Sequence, residues 1–210
     1  MPEPIREIDA GRVRAKLEHV RERCGPSVEI LVACKYVDVG QMEALAAAGV
    51  ELVGENRLQD LEQKRSVYGD AFTWDFIGNV QSRKLKRILP LVRLVHSIAT
   101  DSALEQLALH GDPETEVLVE VDLAGEQGKG GVAPDELGEF IARCPARVTG
   151  LMTMPPFTED PEASRRHFAR LAELGAEHAL ERLSMGTSQD WEVAVEEGAT
   201  TIRLGNSLLR

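Results

Sequence analysis

Two features of this sequence carry chemical possibility: a lysine that closes an apolar run, and two glycine- and hydroxyl-rich stretches far downstream of it. The run is "EILVACKYVDVG", residues 29 to 40, and the lysine is Lys35. Read as the end of a buried strand, this position disfavours an ammonium, since desolvation alone lowers a lysine pKa by roughly 3 to 5 units. A lysine so placed is kept for its neutral amine, the nucleophile of carbonyl and Schiff-base chemistry. The alternative is a lysine just past the strand whose stem carries the charge to water. The stretch by itself leaves both readings open.

The downstream stretches are "SMGTSQDWE" from residue 184 and "RLGNS" from residue 203. Backbone N–H groups at glycine turns and helix starts bind phosphate without a basic side chain. Each stretch also reads as a turn and a helix cap, with Ser188 or Asp190 as the capping residue. Together, and opposite a lysine on the first strand, they point to a phosphorylated aldehyde held at both ends.

The elements that must position these residues follow from periodicity. Short β-branched runs recur as "VEILVAC" from 28, "VELVGEN" from 50, "TWDFIGN" from 73, "RLVHSI" from 93, "TEVLVEVD" from 115, "RVTGLMT" from 147, "RLSMGT" from 182 and "TTIRLGN" from 200. Amphipathic segments lie between them, among them "QMEALAAAG" from 41, "SALEQLALHG" from 102, "PDELGEFIARC" from 134 and "HFARLAELGAEHALE" from 167. Gly49, Gly111 and Gly198 stand where helix stops are expected. Strands alternating with helices imply parallel pairing through right-handed crossovers, and eight units predict an α/β fold, a (β/α)8 TIM-like barrel in one domain over residues 1–210. No GxGxxG follows the first strand to favour a doubly wound sheet. An extra helix over about residues 7–22 precedes the first strand, and the eighth outer helix is expected to be missing or vestigial.

Barrel sites form at the C-terminal strand ends. The polar or distinctive residues there are Lys35, Glu55, Asn56, Asn79, Gln81, His96, Asp122, Glu126, Met152, Thr153, Ser184, Met185, Gly186, Ser188, Arg203, Gly205 and Asn206. The net charge of -11 opposes nucleic acid or an acidic membrane surface as partner. Cys24, Cys34 and Cys144 are odd in number and widely spaced, which suggests neither a disulfide framework nor a zinc site and fits a reducing cytoplasm. The opening residues show no apolar targeting core, and no run approaches a membrane span. The five histidines show no metal spacing, and no carboxylate pair argues for glycosidase chemistry. "SRKLKR" from 82 reads as a solvated helix face, and Lys129 as a loop lysine.

Seven segments in order resemble the YggS/PROSC family of pyridoxal-phosphate-binding homeostasis proteins, related to the barrel domain of alanine racemase. They are "ACKYVD" around Lys35, "GENRLQD" from 54, "WDFIGNVQSRK" from 74, "GEQGKGG" from 125, "GLMTMPP" from 150, "LSMGTSQDWEVAVEEGAT" from 183 and "IRLGNS" from 202. The resemblance implies a fold-type III barrel in which Lys35 forms a Schiff base with pyridoxal 5'-phosphate (PLP) and Asn56 lies beside the cofactor. It further implies that Ser188 with the Gly205 and Asn206 backbone holds the phosphate, that Met185 and Gly186 belong to the binding site, and that Arg203 faces the pyridine nitrogen. Cys34 and Tyr36 flank the lysine where the family often has Ser and Thr; strand alternation turns both away from it. Asp75 stands where the family often has His, Asn206 replaces a Thr or Ser, and the tail after Asn206 is shorter, which implies a less enclosed phosphate end.

The function so implied is intracellular PLP storage or delivery, with PLP-dependent apoenzymes as recipients and little or no turnover; with no second domain to form a shared site, a monomer is the simpler expectation. The alternative is a PLP-dependent amino-acid racemase, but that reaction needs a second acid/base, which racemases of this type take from a further domain and a partner subunit. The 210 residues leave no length for that domain. A class I aldolase, which also uses a barrel lysine, normally carries it on a later strand.

Overall fold

In the computed structural model, which describes residue 5, residues 7–125 and residues 130–209, each β-branched run becomes a strand pointing the same way. The strands are β1 (Glu29–Ala33), β2 (Leu52–Glu55), β3 (Thr73–Phe76), β4 (Leu94–Ile98), β5 (Glu116–Glu120), β6 (Arg147–Met152), β7 (Arg182–Thr187) and β8 (Thr201–Leu204). Each pairs in parallel with the next, and β8 pairs with β1, so the sheet closes into a barrel with no free edge. The intervening helices are α2 (Met42–Ala47), α3 (Leu58–Tyr68), α4 (Leu85–Ile88), α5 (Asp101–His110), α6 (Leu137–Arg143), α7 (Arg165–Glu177) and α8 (Trp191–Glu196). The (β/α)8 architecture expected from the sequence is the one observed.

The N-terminal helix, α1 (Ala10–Cys24), starts where the Asp9 carboxylate accepts from the Arg12 N–H at 3.0 Å. It buries Val13, Leu17, Val20 and Cys24. The last helix, α9 (Asn206–Leu209), is one turn long. Helix α1 packs against α2, α8 and α9, so it covers the wall that a full eighth helix would cover. Of the expected stops, Gly49 and Gly198 take the left-handed conformation at φ 82° and 92°. Gly111 ends α5 in extended conformation, with its N–H still bonded to the Leu107 carbonyl.

Strand alternation divides the side chains into two sets. Outward residues such as Val32, Val53, Trp74, Val95, Val117, Leu151, Met185 and Ile202 form one continuous layer with the helices. Inward, Leu94, Leu118 and Met152 form a small separate cluster. Buried beside it lie Asp75, His96, Ser184 and Arg203, an unusual share of polar groups for a barrel interior.

Close backbone approach matters at Gly78, which follows β3. A Cβ there would lie 2.2 Å from the Asn56 carbonyl oxygen and 2.6 Å from the Asn56 Cα. Gly78→Ala is expected to displace the Asn56 backbone and cost about 1–3 kcal/mol, the usual range for overpacking. Urea denaturation measures this, with Gly40→Ala as the control, since nothing lies within 4 Å of its Cβ position. Equal stability of the two variants would contradict the steric argument.

Candidate functional site

The C-terminal strand ends open on a cavity of about 400 Å³. Lys35, Asn56, Ser188, Arg203, Gly205 and Asn206 all line it, together with Tyr36, Ile77, Met154 and Phe157. Six of the eight predicted site residues therefore meet in one place, although they come from four separate parts of the chain. Met185 and Gly186 do not line it. The β7–β8 register shifts between Ser184 and Thr187, where Gly186 takes φ 87°. Ser184 faces the interior, so alternation sends Met185 into the helix–sheet layer, and at the irregularity Gly186 faces outward as well: a Cβ on it would lie 2.5 Å from the Ala194 side chain on α8. A larger cavity of about 660 Å³ lies between α1 and the N-terminal ends of β1 and β2. Its lining is largely aliphatic, with Arg21, Glu22, Glu29 and Glu51 among it, and none of the predicted site residues borders it.

Lys35 is exposed, so of the two readings the lysine just past the strand is the one observed, and the buried amine is not. Strand β1 ends at Ala33, Cys34 still bonds β2 through its N–H, and Lys35 and Tyr36 form a turn closed by the Val37 N–H on the Cys34 carbonyl. The chain thus leaves the sheet before the lysine, and its stem reaches water at the mouth. Cys34 points into the core as alternation requires, but the turn brings the Tyr36 ring under the ammonium, with Nζ 4.8 Å from the ring centroid.

The lysine buried here is another one. Lys64 on α3 is 3% exposed, forms an ion pair with the fully buried Glu55 carboxylate, and donates to the Cys34 carbonyl at 2.6 Å. Glu55 also accepts from the Asn56 N–H at 3.1 Å and takes the Cys34 thiol at 3.2 Å. Burial, reinforced by the Glu55 charge, pushes that thiol well above its usual pKa. One ion pair therefore fixes the peptide before Lys35 and the backbone of Asn56. The signal was present in the sequence, because Leu58, Leu61 and Lys64 fall at i, i+3 and i+6, a single buried stripe of α3.

Arg203 forms the floor. Its Nη1 donates to the Ser184 carbonyl at 2.7 Å and to Ser184 Oγ at 2.6 Å, and its Nη2 donates to the Thr153 carbonyl at 2.9 Å and approaches Met154 Sδ at 3.9 Å. Of the five N–H groups of the guanidinium, four are committed to protein, and Nε–H is left without a protein acceptor among the described residues. Burial lowers the Arg203 pKa to about 10, against the attraction of Glu120 and Asp190, so it stays charged at neutral pH. His96 lies beneath it, fully buried between Asp75 and Ser184 and away from the mouth.

At the far side, the Asp190 carboxylate accepts from the Thr187 N–H and hydroxyl and from the Ser164 hydroxyl, holding the turn that presents Ser188. Asp190 is the residue before α8, but its side chain folds back onto the turn and does not cap the helix. Ser188 Oγ accepts from the Gly205 N–H at 3.1 Å and keeps its own hydrogen to donate. The N–H groups of Asn206 and Ser207, at the first turn of α9, precede any intrahelical partner. Asp122 accepts from the Ala124 and Gly125 N–H groups, shaping the next loop. Glu126 and Lys129 lie outside the described residues.

Among the described residues, no group of three or more His, Cys, Asp or Glu side chains is placed to hold a metal, and no helix is long and apolar enough to cross a membrane.

Residues 8–209 match the family of the alanine racemase N-terminal domain. The pyridoxal phosphate homeostasis protein of Aquifex aeolicus is 37% identical over 94% of both chains. The structure of PipY from Synechococcus elongatus with PLP bound superposes with a TM-score of 0.83 at 28% identity, covering 94% of this chain and 100% of that one. Alanine racemase from Corynebacterium glutamicum shares the fold, with a TM-score of 0.75 at 15% identity; the match covers 96% of this chain but 61% of that larger one.

Removing one partner of a buried pair strands the other charge, at a typical cost of about 3–5 kcal/mol. Lys64→Met is accordingly expected to destabilise the fold by about 3 kcal/mol or more, and Lys64→Met combined with Glu55→Gln by less than the sum of the two single changes. Chemical denaturation of the four proteins in the cycle measures the coupling. Strict additivity would mean that the pair holds nothing together.

Proposed function

On the premise that the chain belongs to the alanine racemase N-terminal domain family, among its pyridoxal phosphate homeostasis proteins, we propose that it binds PLP at the barrel mouth and stores or delivers it with little or no turnover. The observation that carries this is the convergence of an amine, a buried guanidinium and a cluster of phosphate-type donors on one cavity. PLP, when bound, supplies an aldehyde that condenses with an amine and a ring that draws electron density from a substrate.

The residues present fit such a ligand. Asn56 Oδ1 is buried with no partner, a polar atom that a ligand group would satisfy. Arg203 leaves one N–H uncommitted, and Ser188 has a hydroxyl hydrogen to give. The volume of about 400 Å³ lies within the range of small-molecule sites. Lys35, on its exposed turn, is accessible to an aldehyde arriving from water and is desolvated only as the cavity fills.

Arg203 also argues for slow chemistry. A guanidinium donates but accepts no proton, so a ring nitrogen beside it stays unprotonated and draws electrons weakly. Racemisation further requires an acid/base on each face of the reacting carbon. Among the described residues, the titratable side chains lining the cavity apart from Arg203 are Lys35 and Tyr36, adjacent on one rim. Both considerations support a carrier over a racemase. Cytoplasmic location, a monomeric state, apoenzyme recipients and the absence of nucleic-acid or membrane partners belong to the same proposal. Free cysteines support the first, and the net charge of -11 supports the last.

Absorbance of the purified protein titrated with PLP, followed by borohydride reduction and peptide mass mapping, tests this reading. The expected result is a saturable visible band and a pyridoxyl mass on the peptide containing Lys35, both lost in Lys35→Ala, with no measurable conversion of L- to D-amino acids by the loaded protein. Labels scattered over surface lysines would refute the site, and saturable racemisation lost in Lys35→Ala would refute the carrier role.

A further inference from the structure

Beneath Arg203 a line of polar side chains crosses the barrel interior. Ser184 Oγ, 2.6 Å from Arg203 Nη1, lies 2.9 Å from His96 Nδ1. His96 Nε2 lies 3.1 Å from Asp75 Oδ2, and Arg93 donates to both Asp75 oxygens at 3.1 and 2.7 Å. The side chains of Asp75 and His96 are wholly buried, and Ser184 is 0% exposed. The groups facing His96 come from four elements: Asp75 on β3, Arg93 just before β4, Ser184 on β7 and Arg203 on β8.

The Arg93 ion pair keeps the Asp75 carboxylate ionised, and a carboxylate has no proton to give, so His96 Nε2 must carry the hydrogen between them. In the neutral ring Nδ1 is then the acceptor and takes the Ser184 hydroxyl hydrogen, while Ser184 Oγ accepts from Arg203, whose guanidinium has no lone pair. Burial lowers the His96 pKa despite the opposing pull of Asp75, in agreement with a neutral ring. Burial raises the Asp75 pKa, but hydrogen bonds from His96 and Arg93 outweigh it and hold the carboxyl below its usual value. A charged ring would instead donate from Nδ1, occupying the second lone pair of the Ser184 oxygen and turning its hydroxyl hydrogen elsewhere.

We propose that His96, held in the Nε2-protonated tautomer by Asp75, is a positioning residue for Arg203: by taking the Ser184 hydroxyl hydrogen it keeps the Ser184 oxygen as the acceptor that aims the guanidinium at the mouth. The inference rests on the proposed PLP site, since the group aimed is the one that would face the cofactor ring. Two substitutions separate positioning from mere filling of the core. His96→Asn keeps an acceptor near the Nδ1 position and loses the contact with Asp75. His96→Gln keeps a reach toward Asp75 and offers nothing to Ser184.

The test is titration of each protein with PLP, read as dissociation constant and visible band position. His96→Gln and Ser184→Ala are expected to weaken binding roughly tenfold and to move the band, as for loss of a bond to a charged group, while His96→Asn stays within about threefold of the parent. Equal behaviour of His96→Asn and His96→Gln, whether both intact or both impaired, would overturn the proposal. A second measurement does not depend on the variants folding or on PLP. Nitrogen NMR of the unsubstituted protein labelled at histidine should show His96 neutral with its proton on Nε2 at neutral pH; a proton on Nδ1 would overturn the assignment. A parent protein that shows this tautomer but no PLP band would refute the proposed function and, with it, the ligand that Arg203 is aimed at. Normal PLP binding with unaltered variants would refute the positioning role alone.

Discussion

An arginine enclosed in a β-barrel must find an acceptor for each N–H it turns away from water, because an unpaired buried polar group costs several kcal/mol and an unpaired charge more. Much of the barrel interior is organised around that requirement. The carbonyls of Thr153 and Ser184, at the ends of β6 and within β7, are the acceptors for Arg203. The Ser184 hydroxyl adds a third, and it in turn needs His96, which needs Asp75, which is shared with Arg93 near the opposite end of the barrel. What is left over is a single N–H at the bottom of the mouth. One buried charge has in this way dictated polar residues on four strands or their flanks, in a space that other barrels fill with aliphatic layers.

The rim is organised by a second buried charge pair. Lys64 and Glu55 sit behind the wall of the cavity, yet between them they bond the peptide preceding Lys35 and the backbone of Asn56. Across the mouth, Asp190 performs the same office for the Ser188 turn. Side chains that line the cavity are thus held by groups that do not, which would cut the ordering cost of binding a ligand there. Lys35 is the exception. Its side chain is exposed at the rim, which suits the aldehyde-capturing role proposed for it.

Reading from sequence succeeded where the signal was periodic. The eight β-branched runs, the extra helix before the first and the truncated helix after the last all follow from two-residue and 3.6-residue repeats, and the observed elements differ mainly at their ends. It failed where one backbone event reset the alternation. Strand β1 stops at Ala33, so Lys35 is exposed and Tyr36 faces it; the irregularity at Gly186 turns that residue toward α8 and away from the mouth. Lys64 was legible as the third member of an apolar stripe but was passed over as a charge. The meeting of Asp75, His96 and Ser184 was not legible at all, because it joins residues 21 and 88 positions apart through a closed sheet whose stagger no local pattern encodes.

The most direct test of the account is a crystal structure of the protein grown with PLP. The account predicts density continuous with Lys35 Nζ in the mouth cavity, the phosphate against Ser188 and the Asn206 backbone, and the ring nitrogen beside Arg203 Nε. PLP bound instead in the cavity between α1 and the base of β1 and β2, or with its phosphate turned toward Asn56, would contradict it.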